Sequence, residues 1–284
     1  MPGPVAVVTD STAYLPPGVA EGLGVRVVPL QVVLGGVAGA EGTDVTPGDV
    51  ASALANWVPV TTSRPSAADF VAAYRDATAA GASGIVSLHL SSKLSGTWDA
   101  ARLAGAECGG EAVVRVVDSR SAAMGLGFAV IAAAQAARDG GTLADVYAAA
   151  ARSVQHTTTL FYVDTLEYLR RGGRIGAAQA LLGTALSVKP ILHVHAGRIV
   201  PLEKVRTASK GLARLEAIAA EAANGLEVDV AVHHLAAPER AATLAERLRT
   251  RLPRLRELYV SEVGAVVGAH VGPGLLGVVV VVRG

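Results

Sequence analysis

The chain has 284 residues, of which 51% are hydrophobic, 17% charged and 4% aromatic, with a formal net charge of +1 at pH 7. That length accommodates two domains with well-buried cores, and so few aromatics mean cores of Ala, Val and Leu, as where helices pack on a parallel sheet. The near-neutral charge argues against nucleic acid as a partner, and a lone cysteine, Cys108, excludes an intrachain disulfide or a thiolate metal cluster.

Apolar runs at 5–8, 84–89 and 113–117 alternate with helical patterns, which predicts βα units and a parallel sheet with crossover helices. Three helix starts are readable: Thr46 before Pro47, Ser66 with Asp69, and Thr142 with Asp145. The stretch 122–137 is apolar, yet it falls short of the ~18 residues of a membrane span and contains Gln135, so it predicts a buried helix. The start of the chain lacks the basic region and apolar length of a signal peptide. The expectation is a soluble, cytoplasmic protein without stable membrane insertion.

From residue 161 the pattern changes. Runs at 189–194 and 198–204 flank His195-Ala196-Gly197, which reads as a hairpin turn. Helical patterns over 207–223 and 238–251 alternate with apolar runs at 228–233 and 258–260, and 277–282 reads as a buried closing strand. The prediction is an α/β fold of two domains: a parallel-sheet domain over 1–160, then a smaller domain with a mixed sheet over 161–284. The boundary is expected between 155 and 163.

Three turns carry candidate chemistry. Ser91-Ser92-Lys93-Leu94-Ser95-Gly96-Thr97 joins an apolar run to a helical pattern beginning at Trp98, where free backbone N–H groups and the helix dipole suit an anion. The Ser95 hydroxyl can donate to a carboxylate, and Gly96 lacks the Cβ that would block approach. Read alone, Ser95 is an N-cap. Thr62 and Ser63, between the run 57–60 and Pro65, offer two more hydroxyls, though such a cluster is ordinarily turn chemistry. His270, in a glycine-rich stretch read as a loop, can donate to a carboxylate or stabilise charge when protonated; read alone, it is a structural histidine.

Other strings carry less. Gly272 to Gly277 spells a dinucleotide fingerprint but leads into a strand instead of following one. His193 and His195 share a strand face without a third metal ligand. Arg170-Arg171-Gly172-Gly173-Arg174 alone reads as a solvated helix end.

Taken in order, Thr9-Asp10-Ser11-Thr12, Thr62 to Ser66, Leu94-Ser95-Gly96-Thr97, Asp118-Ser119, Asp164 to Ile175, Lys189-Pro190-Ile191-Leu192, Arg206-Thr207 and His270 to Gly274 resemble the DegV family of bacterial fatty-acid-binding proteins. The resemblance implies a Rossmann-like N-terminal domain that holds the lipid head group, a C-terminal domain that closes over the lipid, and a long-chain fatty acid between them. It further implies carboxylate contacts from Thr62, Ser63, Ser95, Gly96 and His270. Arg64, standing where the family often has Gln, is not assigned to the ligand. Arg174 and Arg206 resemble contacts for a partner kinase. On this reading the chain needs no cofactor and has no catalytic residue: a separate ATP-using kinase subunit phosphorylates the carboxylate, giving an acyl phosphate for phospholipid synthesis. Two alternatives stay open: a serine hydrolase using Ser95 and His270, although no Gly-x-Ser-x-Gly elbow is present, and a lipid-sensing regulatory protein.

Overall fold

The computed structural model describes residues 3–109, 112–181 and 189–283. Its strands are β1 (Val5–Asp10), β2 (Arg26–Val28), β3 (Gln31–Leu34), β4 (Val37–Ala40), β5 (Val60–Ser63), β6 (Gly84–His89), β7 (Val113–Asp118), β8 (Thr157–Tyr162), β9 (Lys189–His195), β10 (Arg198–Val205), β11 (Val228–His234), β12 (Leu255–Glu262) and β13 (Leu276–Val282). The helices are α1 (Val19–Gly22), α2 (Pro47–Ala55), α3 (Ala67–Ala79), α4 (Thr97–Glu107), α5 (Met124–Arg138), α6 (Leu143–Gln155), α7 (Glu167–Arg171), α8 (Ala208–Ala223), α9 (Pro238–Arg251) and α10 (Ala265–Val271). Two compact units result, one of Met1–Gln31 with Ser63–Gln155, the other of Val32–Thr62 with His156–Gly284.

In the first unit four parallel strands lie in the order β2-β1-β6-β7. The central strand β6 is buried along its whole length, as a parallel strand covered on both faces must be. Helix α3 starts with the expected capping box, Ser66 Oγ accepting from the Asp69 N–H and Asp69 accepting from the Ser66 N–H. Its buried face carries Phe70 and Tyr74, which meet Val8, Ile85 and the small residues Ala100 and Ala101 of α4. The apolar stretch ahead of residue 138 forms α5, a largely buried helix. Among the described residues no helix is long and apolar enough to cross a membrane.

The second unit contains a mixed six-stranded sheet, β10-β9-β8-β13-β11-β12, antiparallel throughout except for the parallel pair β11 and β12. The valine run of β13 is its buried centre. The β9–β10 hairpin closes through Ala196 and Gly197, both at positive φ (48° and 80°), the pair of left-handed residues a tight two-residue turn requires. Helices α8, capped by Thr207, and α9, opened by Pro238, share a core with β8, β11 and β13 that includes Tyr162, Leu215, Leu244 and Val278. Gly211 lets α8 sit close to the sheet, since a Cβ there would stand 2.7 Å from the Tyr162 ring. A three-stranded sheet, β4-β3-β5, and helix α2 are formed by the segment around 32–62. Thr46 and Asp49 make the capping box of α2 with Pro47 in its first turn. The sequence reading grouped this segment with residues 1–160; its contacts, including α2 on α10, lie with the C-terminal part of the chain.

Candidate functional site

The arrangement with most chemical content lies within the second unit. Strand β5 exposes alternate residues, so Thr62 is half-buried while its neighbours Thr61 and Ser63 are exposed. Thr62 Oγ1 lies 2.8 Å from His270 Nε2, joining residues 208 positions apart. The sequence placed His270 in a glycine-rich loop. It occupies instead the last turn of α10, because Gly264 and Gly272 bracket the helix while Gly268 within it lets the helix approach Leu235 and Val50.

Burial pushes the His270 imidazole down to about 4, with the nearby Arg174 guanidinium adding to the shift. At neutral pH burial therefore favours the uncharged ring. Its Nδ1 is buried and makes no hydrogen bond among the described residues. A bare buried acceptor costs less than a buried N–H without a partner, so the proton belongs on Nε2. Nε2–H then donates to Thr62 Oγ1. Thr62 keeps its own O–H proton free to donate outward, aimed by the histidine.

Gly172 makes this geometry possible. A Cβ at that position would stand 2.1 Å from His270 Nδ1. Arg174 Nη1 donates to the Gly172 carbonyl at 2.5 Å, fixing the turn after α7. Thr62 and His270 line a cavity of about 380 Å³ whose walls include Leu54, Trp57, Tyr168, Arg171 and Arg174. The lining contains two arginines and no carboxylate, so its electrostatics favour an anion. At the rim the Arg171 guanidinium lies 5.2 Å from the centre of the Trp57 ring, whose residue is 77% exposed. From sequence, Arg171 reads only as part of a solvated helix end and Tyr168 only as part of the Asp164 to Ile175 string, and Trp57 carries no signal beyond its place in the apolar run 57–60. Arg170 and Arg171 both bond Glu167, the solvated helix end expected of that string. Arg206 is exposed between β10 and the cap of α8.

The remaining candidates belong to the first unit. Gly96 is the N-cap of α4, and Ser95 Oγ accepts from the Thr97 N–H at 3.3 Å while lying 2.9 Å from Thr97 Oγ1. The N-cap that Ser95 reads as from sequence falls one residue later, on Gly96, which has no side chain to cap with; Ser95 instead engages the Thr97 amide from the position before it. The missing Cβ of Gly96 makes room for Arg64, whose Nη1 donates to the Gly96 carbonyl at 3.1 Å; a methyl there would stand 2.5 Å from that nitrogen. Arg64 therefore braces this turn. Beneath it Asp10 Oδ2 accepts from the Leu90 N–H at 3.0 Å and faces His89 Nδ1 at 3.0 Å, while His89 Nε2 lies 2.7 Å from Ser87 Oγ. These are the residue types of a catalytic triad, but all three are fully buried and Tyr74 donates its hydroxyl to Ser87 at 2.8 Å. They brace the ends of β1 and β6, and Asp10 Oδ1 also accepts from the Thr12 N–H at 3.0 Å.

A family model described as "Uncharacterised protein, DegV family" matches residues 4–283. The DegV domain-containing protein SCO2569 of Streptomyces coelicolor is 60% identical over 97% of this chain and 98% of its own length. Protein DegV of Bacillus subtilis is 35% identical over 96% of this chain and 98% of its own. Among solved structures, a DegV family protein from Thermus thermophilus, described by its fatty acid binding, superposes with a TM-score of 0.93 at 35% identity, covering 99% of this chain and 100% of that one. DegV from Bacillus subtilis, described as a fatty acid binding protein, superposes with a TM-score of 0.88 at 34% identity, with coverage of 99% and 100%. The chain belongs to the DegV family.

Proposed function

We propose that this protein binds a long-chain fatty acid and that the Thr62–His270 pair receives its carboxylate. The carrying observation is the pair itself: Thr62 Oγ1 at 2.8 Å from His270 Nε2, in a cavity lined by two arginines and no carboxylate. The fatty acid binding described for the Thermus thermophilus and Bacillus subtilis relatives supports the same reading. A tail of about fifteen methylenes, at ~0.8 kcal/mol each, offers roughly 12 kcal/mol before ordering costs, so the tail supplies affinity and the polar pair supplies orientation. Ser63, Ser95 and Gly96 are further carboxylate contacts on the family pattern.

The chain acts as a binding protein and not as an enzyme in this reading. It presents the carboxylate to a separate ATP-dependent kinase subunit in the cytoplasm, with Arg174 and Arg206 contacting that partner and the acyl phosphate feeding phospholipid synthesis. Denaturing mass spectrometry of an organic extract, from protein purified without detergent, tests the binding claim. About one fatty acid per chain is expected; an empty extract contradicts it. For the partner, Arg206→Ala is expected to slow carboxylate phosphorylation by the kinase while leaving lipid retention intact. Equal loss of both argues against the assignment.

A further inference from the structure

We propose that Glu41 is a positioning residue for the Thr62–His270 pair, its buried carboxylate serving as the cap of the short helix that carries His270. Helix α10 opens at Gly264, which has an extended backbone (φ −68°, ψ 178°) but no side chain with which to cap. The second N–H of the helix, that of Val266, donates instead to Glu41 Oε1 at 2.7 Å. Glu41 lies 225 residues away in sequence and is 6% exposed. A buried carboxylate at a helix N-terminus gains both a charge-assisted hydrogen bond and the favourable end of the dipole.

The loop holding Glu41 is itself fixed. Asp44 accepts from the Ala40 N–H at 2.9 Å, the Asp44 and Val45 amides return to the Ala40 carbonyl, and Glu41 bridges to Val45. Gly39 permits the fold of the loop, since a Cβ there would stand 2.9 Å from Asp44 and Val45 side-chain carbons. Helix α10 is thus held at its start by Glu41, at its middle by close packing at Gly268, and at its end by the Thr62 bond and the Gly172 contact. With only seven residues it has too few internal hydrogen bonds to keep its register alone. Removing the first hold frees the helix to fray from its N-terminus and loosens the ring at the other end.

The test needs no ligand, so its outcome is separate from that of the fatty-acid reading. Glu41→Ala is expected to speed amide exchange in α10 by about tenfold, the scale of a lost cap. It is also expected to move the His270 titration, followed by ring NMR, from about 4 upward toward 6.5 as burial is lost. Glu41→Gln, which keeps the acceptor oxygen, is expected to restore most of both. Gly264→Ser in the Glu41→Ala background supplies a local oxygen for the same Val266 N–H, and is expected to recover the His270 titration. An unchanged His270 titration in Glu41→Ala overturns the proposal. If Glu41→Ala does not fold, recovery of folding and of the titration by added Gly264→Ser supports the proposal; no recovery overturns it.

Discussion

Gly172→Ala isolates the contact on which the Thr62–His270 pair depends. Gly172 has φ −74° and ψ −8°, a conformation alanine adopts freely, so backbone strain plays no part. The new methyl would stand 2.1 Å from His270 Nδ1, about 1.3 Å inside the 3.4 Å at which ordinary contact begins. The ring is fixed by α10 on one side and by the 2.8 Å bond to Thr62 on the other, and a retreat of that size takes the bond beyond hydrogen-bonding range. Overpacking costs about 1–3 kcal/mol, offset by about 0.4–1 kcal/mol from replacing glycine, so global stability falls by at most about 2.6 kcal/mol. The larger effect is on the ligand. Losing one oriented hydrogen bond to a carboxylate, worth about 1.5–3 kcal/mol, weakens palmitate binding by about 10- to 150-fold. Urea unfolding and displacement of a fluorescent fatty acid by palmitate measure the two effects. Palmitate affinity within about twofold of wild type, with the His270 ring signals unmoved, would refute the reasoning.

Acid should destabilise the protein before its carboxylates titrate. Burial holds both His270 and His233 down to about 4, against 6.5 for a free histidine, so the unfolded chain binds protons that the folded one does not as pH falls from about 6.5 through 4. Stability contributed by the neutral rings is complete above that window and lost within it, by about 2 kcal/mol per ring at pH 5; equal urea midpoints at pH 7 and pH 5 would argue against this. Thr46→Ala and Ser66→Ala each remove a capping box and should each cost about 1 kcal/mol in thermal unfolding, additively because the helices are separate; effects below about 0.2 kcal/mol would show that these caps are solvent-replaceable. Gly96→Ala meets only the flexible end of Arg64, so stability should change by less than about 0.5 kcal/mol. If Gly96 also faces the carboxylate, palmitate affinity falls in that variant without loss of stability; unchanged affinity removes Gly96 from the binding set.

Local signals in the sequence matched the structure where the cause was local. The expected helix over 238–251 is α9, because Pro238 fixes its first turn and the apolar periodicity runs unbroken to Leu248. The hairpin at His195-Ala196-Gly197 is present, with Gly197 taking one of its two positive φ angles at no steric cost and Ala196 held at the other. The caps at Thr46, Ser66 and Thr142 form as read, each closed by an aspartate three residues on. What sequence could not supply were partners distant along the chain. Helix α10 has no cap of its own and too few residues for a periodic pattern, so Gly264 to Gly272 looked like a loop; its stabilising groups, Glu41 and Thr62, lie more than 200 positions upstream. The same contacts explain why residues 32–62 lie with the C-terminal part of the chain. The charge state of His270 was also hidden, since it follows from burial and from Arg174, neither of which a glycine-rich string reveals.

The central claim, a fatty acid whose carboxylate rests on Thr62, is tested most directly by carbon-13 NMR of carboxyl-labelled palmitate bound to the wild-type protein and to Thr62→Val. One bound carboxyl resonance displaced from that of free palmitate is expected, with a different displacement in Thr62→Val and the lipid still retained. No bound resonance, or the same resonance in both proteins, would contradict it.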